Sequence, residues 1–269
     1  MPETANQLVN NRLTIRVCKH SLSFSVIDKT SESLIRFEPY TVKSGVSIAA
    51  NLREAFKSNE LLQMGFRKAL VMLNSPVLFV PVEEYKNEDA ELLYKSSFHG
   101  HDNDLVLNNV LPDLNTVALF AINKDLKVVI DDHFEDVRYS TICQPVWNYL
   151  HIRSYTGVYQ KVYGYFHDKK LEIFSFEKNR FKFVNTFDAV HAQDAAYFLL
   201  YTWKQLGMDA YKDELHIVGQ IPEKEVLVVN LRKYIQKVYV LNPSAEFNRA
   251  PITQVRNLPF DLLTLYVKR

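Results

Sequence analysis

Glycine and cysteine are scarce in this chain. Only 7 of its 269 residues are glycine and 2 are cysteine, whereas glycine ordinarily makes up about 7% of a protein. Loops that approach a phosphate group closely rely on residues without a Cβ atom, so the shortage disfavours such loops. Cys18 and Cys143 are 125 residues apart and lie in no metal-ligand spacing, which argues against a disulfide framework and against a zinc site.

Long apolar runs and an excess of one charge are also missing. No stretch approaches the roughly 18 apolar residues of a membrane-spanning helix, and the first eleven residues lack the features of a signal peptide. The 32 basic residues nearly balance the 31 acidic ones and are scattered, whereas a nucleic-acid binder concentrates them. We therefore expect a cytoplasmic protein that neither inserts into membranes nor binds nucleic acid.

Apolar residues make up 47% of the chain and aromatic residues 13%, which is typical of a well-packed core. Polar and apolar residues alternate over residues 13–17 and 22–27, and a shorter apolar piece follows at 34–37. This period-2 pattern with short connections predicts half-buried strands in an antiparallel meander. Ser44 is the predicted N-cap of a following helix, and the apolar run 69–73 predicts a buried strand.

The same order of elements recurs about 147 residues later, if His20 is aligned with His167. Strands are predicted at 159–166, 171–176 and 181–184, followed by a helix at 192–206 that Gly207 ends and a strand at 215–218. The recurrence predicts a duplicated α/β fold with mixed sheets. We expect one domain over residues 1–153 and a second over 154–269.

The remaining segments carry weaker patterns. Strands are predicted at 77–80, 117–122, 137–142 and 237–241, helices at 87–97, 124–130, 222–235 and after Pro145, a polar loop at 99–113 and an apolar tail at 260–267.

A three-stranded meander that leads into a helix and a buried strand, present twice, resembles the actin-like ATPase (ribonuclease-H-like) architecture. The chain is similar over essentially its whole length to a bacterial family of uncharacterised proteins with this fold. The resemblance implies two lobes, each with a mixed sheet flanked by helices, and a cleft between them.

The resemblance also implies where a nucleotide site would lie. In active members of the superfamily, two glycine-rich hairpin turns with an acidic residue hold the phosphates and position a metal ion, and paired glycines hold the adenosine. The corresponding segments here are Cys18-Lys19-His20-Ser21, residues 166–170 and Ile217-Val218-Gly219-Gln220. The first has neither glycine nor carboxylate, the second has an acid without glycine, and the third has one glycine. The candidate ligand-binding residues are Lys19, His20, Asp168, Lys169 and Gly219.

Holding a triphosphate requires several backbone amides that point at one place, together with a metal ion. The missing glycines therefore predict a non-catalytic binding or scaffold protein without cofactor or metal, with a protein or peptide partner in the interlobe cleft. The alternative is a divergent ATPase or phosphotransferase that uses ATP with Mg, with Asp168 as the metal-binding acid and Gly219 at the nucleoside. The sequence leaves the oligomeric state open.

A metal-dependent hydrolase is a further alternative, because His99, His101, Asp102 and Asp104 are the densest group of metal-ligand types. Residues of these types are also common in solvated loops, where they satisfy turns, and this interpretation is favoured.

Tyrosines cluster where the second half begins. Tyr159, Tyr163 and Tyr165 share one face of a predicted strand. They either pack in the core or line a protein-binding surface, and core packing is favoured. Cys18 is likewise expected to be a buried residue at a strand end rather than a nucleophile.

Overall fold

A computed structural model describes residues 8–267, which divide into two compact units. One unit comprises the chain up to Gln144 together with Gln254–Arg256, and the other comprises Pro145–Thr253 with the chain from Asn257 onward. Within the described residues, no helix is both long and apolar enough to cross a membrane.

The main sheet of the first unit combines an antiparallel meander with parallel strands. Its strands are β1 (Leu13–Val17), β2 (Ser21–Ile27), β3 (Ile35–Thr41), β4 (Lys68–Leu73) and β8 (Asp136–Thr141), in the order β3-β2-β1-β4-β8. β1 is antiparallel to β2 and parallel to β4. Thr14 and Arg16, the polar residues of the alternation in β1, are buried as well. The expectation of a half-buried strand is therefore wrong for β1, because both of its faces are covered.

Two helices of the first unit pack against each other, α1 (Ile48–Ser58) and α3 (Lys124–Asp131), while α2 (Ala90–Ser97) lies between them in the chain. The prediction that Ser44 caps α1 is wrong. The N-cap is Ser47, whose hydroxyl accepts a hydrogen bond from Ala50 N at 3.2 Å. Gly45 has a φ of +78° and turns the chain before the helix starts, so Ser44 lies outside it.

A second, smaller sheet in the first unit consists of β5 (Leu78–Pro81), β6 (Asp104–Leu111) and β7 (Thr116–Asn123), in the order β5-β7-β6. The prediction of a loop over 99–113 is wrong, because β6 pairs with β7 along its whole length. The asparagines Asn108 and Asn109 have low strand propensity, but cross-strand pairing overrides it. The side chain of Asn109 also donates a hydrogen bond to the Tyr139 carbonyl at 3.1 Å.

The sheet of the second unit has the same strand order as the main sheet of the first. It contains β9 (Lys161–His167), β10 (Lys170–Glu177), β11 (Arg180–Asp188), β12 (Glu214–Gly219) and β13 (Lys237–Val240), in the order β11-β10-β9-β12-β13. β9 is antiparallel to β10 and parallel to β12. The strands predicted at 171–176 and 215–218 are thereby confirmed.

Two helices supply apolar side chains to the core on one side of this sheet, α5 (Ala192–Gln205) and α6 (Lys224–Arg232). Their buried leucines pack with alternate residues of the central strands, such as Val162 of β9 and Ile217 of β12. Gly207 ends α5 with a φ of +65°, as predicted.

The remaining helices of this part of the chain are α4 (Gln144–Ser154), α7 (Pro243–Glu246) and α8 (Phe260–Tyr266). The segment predicted as an apolar tail is thus helical over most of its length. Its Asp261 is fully buried and accepts a hydrogen bond from the Tyr165 hydroxyl at 2.8 Å. Tyr163 and Tyr165 are core residues, as predicted, whereas Tyr159 precedes β9 and is 43% exposed.

We expect Ser47→Ala to lower the free energy of unfolding by about 1 kcal/mol, because it removes the side-chain acceptor at the start of α1. Ser44→Ala is the matched control and should leave stability unchanged. Urea denaturation measures both, and equal effects of the two substitutions would contradict the assignment of the cap.

Candidate functional site

The first predicted phosphate turn connects β1 and β2 in the first unit. Cys18 N donates a hydrogen bond to Ser21 O at 2.9 Å and closes it. Lys19 and His20 at its tip are exposed. Cys18 is buried, as expected, and a guanidinium nitrogen of Arg16 lies 2.8 Å from its sulfur. This thiol therefore packs inside the unit, whereas the side chains of the two tip residues are exposed.

The second predicted phosphate turn connects β9 and β10 in the second unit. His167 and Lys170 are paired in the strand ladder, which leaves Asp168 and Lys169 as the central residues. Their φ angles are +47° and +63°, the left-handed values of a type I′ hairpin turn. The Asp168 carboxylate lies 3.5 Å from Nδ1 of the buried His167. The turn therefore has only two central residues, as in the tightest common hairpins. Neither of them is a glycine.

Gly219, the single glycine of the predicted nucleoside loop, ends β12 with a φ of +100°. A Cβ atom at this position would lie 2.1 Å from the Phe166 carbonyl oxygen and 3.1 Å from Cε2 of Tyr165. The same carbonyl accepts a hydrogen bond from Gln220 N at 2.8 Å. The close packing of β12 against β9 thus requires a glycine here, whether or not a ligand binds.

The structure places Asp168, Lys169 and Gly219 at one edge of the second unit's sheet, since β9 and β12 are parallel and both end there. Lys19 and His20 follow the carboxyl end of β1 in the first unit. Ligands of open α/β sheets commonly bind at the carboxyl ends of the strands. All five residues therefore lie at strand ends where a ligand site is expected.

In the segment 99–104, His101 Nδ1 lies 2.7 Å from an oxygen of the Asp104 carboxylate. The His101 ring also packs edge-on against Tyr94, with 5.6 Å between ring centroids. His99 and Asp102 are exposed. Both His101 and Asp104 thus have partners within the protein that account for their positions.

A group of polar and aromatic residues that the sequence patterns do not reveal begins at the amino ends of β9 and β12 and continues past the carboxyl end of β13. The β9–β12–β13 register aligns Lys161 with Glu214, and Tyr163 with His216 and Tyr239. These side chains line a cavity of about 570 Å³. The sequence signal is the alternation of polar or aromatic residues with core residues in each strand, but the cross-strand register that brings them together is not visible in it.

The strand order and the hairpin turns define an actin-like ATPase fold. A crystal structure from Bacteroides thetaiotaomicron VPI-5482, of a protein with actin-like ATPase fold and unknown function, is similar with a TM-score of 0.80 and 26% identity, covering 93% of this chain and 98% of that chain. A chain of the PilM-PilN type IV pilus biogenesis complex is similar with a TM-score of 0.58 and 9% identity, covering 96% and 99%. The predicted fold class is thus confirmed.

The sequence also identifies the family of this chain. The chain belongs to the family described as "Protein of unknown function (DUF3822)", whose model matches residues 3–238. None of the curated proteins compared with the chain matches it.

We expect Gly219→Ala to lower the free energy of unfolding by about 3 kcal/mol or more, because it combines a strained left-handed residue with a collision against the Phe166 backbone. Gly207→Ala is the matched control, since Gly207 also has a positive φ but a Cβ there meets nothing within 4 Å. Gly207→Ala should lower the free energy of unfolding by about 1–2 kcal/mol. Chemical denaturation compares the two, and similar losses would show that the contact with Phe166 is easily relieved.

Proposed function

We propose that this chain is a non-catalytic binding or scaffold protein, built on a duplicated actin-like fold whose phosphate turns no longer hold a nucleotide. The observation that carries the proposal is the turn at Asp168 and Lys169. Because His167 and Lys170 are paired in the ladder, only two central amides lie outside it. A triphosphate needs more amides than this at one place, and its metal needs several oxygen ligands.

The two other expected loops support the same conclusion. The Cys18–Ser21 turn contributes no carboxylate for a metal ion, and its basic tip residues Lys19 and His20 contact an anion as point charges at most. Gly219 is already required by the approach of β12 to Phe166, so its presence is no sign of room for a nucleoside. The residues present therefore do not fit a magnesium nucleotide.

A polypeptide partner is the kind of ligand we propose. One protein of the same fold takes part in the PilM-PilN type IV pilus biogenesis complex, so this fold supports association with another protein. Because the two chains are only 9% identical, neither the partner of that protein nor its binding surface is transferred to this chain. The proposal for this chain is therefore limited to association with a protein in a manner that does not depend on ATP.

Thermal unfolding with ATP or ADP, each with Mg²⁺, tests the loss of nucleotide binding. We expect an unchanged midpoint, whereas a ligand at 100 times its Kd would stabilise the native state by about 2.7 kcal/mol. Asp168→Asn is the matched variant, because asparagine tolerates the left-handed conformation and removes only the charge. A magnesium-dependent shift that this variant abolishes would support the ATPase or phosphotransferase alternative, and any other shift with nucleotide would also contradict the proposal.

Association with a protein is tested by affinity purification of the tagged chain from its native cells, with ATP and Mg²⁺ present or removed. We expect one stoichiometric partner in equal amounts under both conditions. Its identity is then checked by reconstituting the complex from two purified proteins. A partner that appears only with ATP, or the absence of any stoichiometric partner, would contradict the scaffold function.

A further inference from the structure

The strand β11 ends the sheet of the second unit, and within the described part of the chain no strand pairs with its outer side. The strand in the same position of the first unit, β3, carries Pro39, and a proline is one of the devices that keep a further chain from pairing with an edge strand. β11 is 9 residues long and has no proline. Such an edge is a template for another strand.

The backbone groups that face away from the sheet belong to Val184 and Thr186. Ala189 N donates a hydrogen bond to Lys169 O at 3.0 Å, and in an antiparallel ladder every second residue bonds to the neighbouring strand. Asn185 therefore faces β10, and the residues on either side of it face outward. The Thr186 amide accordingly donates to a side chain of its own strand, Asn185 Oδ1, at 2.8 Å.

The side chains of β11 favour one register with a second copy of the strand. A two-fold axis at Asn185, perpendicular to the sheet, lets Val184 and Thr186 exchange backbone hydrogen bonds with Thr186 and Val184 of the second copy. Phe183 then lies opposite Phe187 of the second copy. With the axis one residue to either side, a phenylalanine lies opposite Asn185 instead. Because aromatic pairs across strands are stabilising, the register centred on Asn185 is favoured.

The charges at the two ends of this segment are complementary in the same register. Lys182 of each copy lies opposite Asp188 of the other, so the pair occurs twice. Within one chain, Lys182 contacts Gln160 at 2.8 Å and Asp188 lies 3.7 Å from Lys170, and both residues are exposed. Opposite charges across strands are stabilising, whereas an unmatched strand would leave Lys182 without an opposite charge.

Apolar surface continues from this edge onto α5. The ring of Phe187 stacks on Phe198 with 4.4 Å between centroids, Phe198 contacts Tyr197 at 5.3 Å, and Tyr197 stacks on Tyr201 at 6.1 Å. Tyr197 and Tyr201 are 63% and 52% exposed. Aromatic residues are enriched at protein interfaces, and the two-fold axis places α5 of both copies on the same face of the joined sheet.

We propose that this protein forms a two-fold symmetric dimer in which β11 pairs antiparallel with β11 of a second copy, so that the two five-stranded sheets become one continuous sheet. The complementarity of the strand with itself, in both its aromatic and its charged residues, identifies the occupant of this edge as a second copy rather than a strand of another protein.

Sedimentation velocity of the purified full chain tests the dimer, and exchange of the two charges tests its register. We expect a dimer at micromolar concentration. Lys182→Glu and Asp188→Lys each set like charges opposite one another twice and should each raise the Kd of the dimer at least about tenfold, which corresponds to about 1.4 kcal/mol. The double variant restores opposite charges and should return the Kd to the original value. Arg180→Glu is the control and should leave it unchanged.

A disulfide across the axis tests the geometry independently. Position 185 lies opposite itself in a pair without backbone hydrogen bonds, where the Cα atoms are about 4.5 Å apart, a distance that a disulfide can span. Asn185→Cys should therefore give a covalent dimer on mild oxidation, seen on a non-reducing gel. Asp188→Cys is the matched control, because its two copies are six residues apart along the strands, about 20 Å. The native Cys18 and Cys143 are buried.

Three results would overturn the proposal. The first is a chain that remains monomeric at high micromolar concentration, which would leave this edge open to a strand of another protein. The second is a dimer that Arg180→Glu weakens as much as Lys182→Glu does, or that neither single charge variant weakens. The third is that Asp188→Cys cross-links as efficiently as Asn185→Cys, which would indicate random collision of exposed thiols.

Discussion

The backbone carbonyl of Phe166 organises the carboxyl edge of the second unit's sheet. It accepts a hydrogen bond from Gln220 N at 2.8 Å, and Gly219 approaches it so closely that no side chain fits between them. β12 therefore turns away immediately after the glycine, while β9 continues only as far as the short turn at Asp168 and Lys169. This edge keeps few free amides, because its backbone is used to join strands. Binding an anion through the backbone requires several amides that have no partner within the protein. At this edge, the amides of Gln220 and Ile221 already donate hydrogen bonds to backbone carbonyls.

The order of buried elements could be predicted from the sequence wherever hydrophobic runs are short and bounded. The continuous run that became β4 is an example, since its burial on both faces leaves a clear pattern. β6 could not be predicted, because Asn108 and Asn109 favour loops locally and are held in a strand only by pairing with β7. The start of α1 was misplaced for a different reason. Two serines stand near it, and the backbone turn at Gly45 decides between them.

For the residues of the candidate sites, too, features set by neighbours in the chain could be predicted and contacts with distant residues could not. The spacing of the strands was enough to place Asp168 and Lys169 in a hairpin. What Gly219 touches was not predictable, because Phe166 is far away in the chain and the register of parallel strands has no local signal. The same register brings Tyr163, His216 and Tyr239 side by side on three neighbouring strands, and it has no local signal either. Chemistry that is assembled across parallel strands therefore becomes visible only in the structure.

The hydrogen bond between the Tyr165 hydroxyl and Asp261 joins residues 96 positions apart and bears on how the chain folds during synthesis. All strands of the first unit precede Gln144, so its sheets can form while the rest is still being made. The second unit completes its core only after residue 261 has been synthesised, because α8 supplies the buried Asp261. Until then, the side of β9 that carries Tyr165 lacks its contacts with Asp261 and Phe260, although α5 and α6 can already cover the opposite side of the sheet.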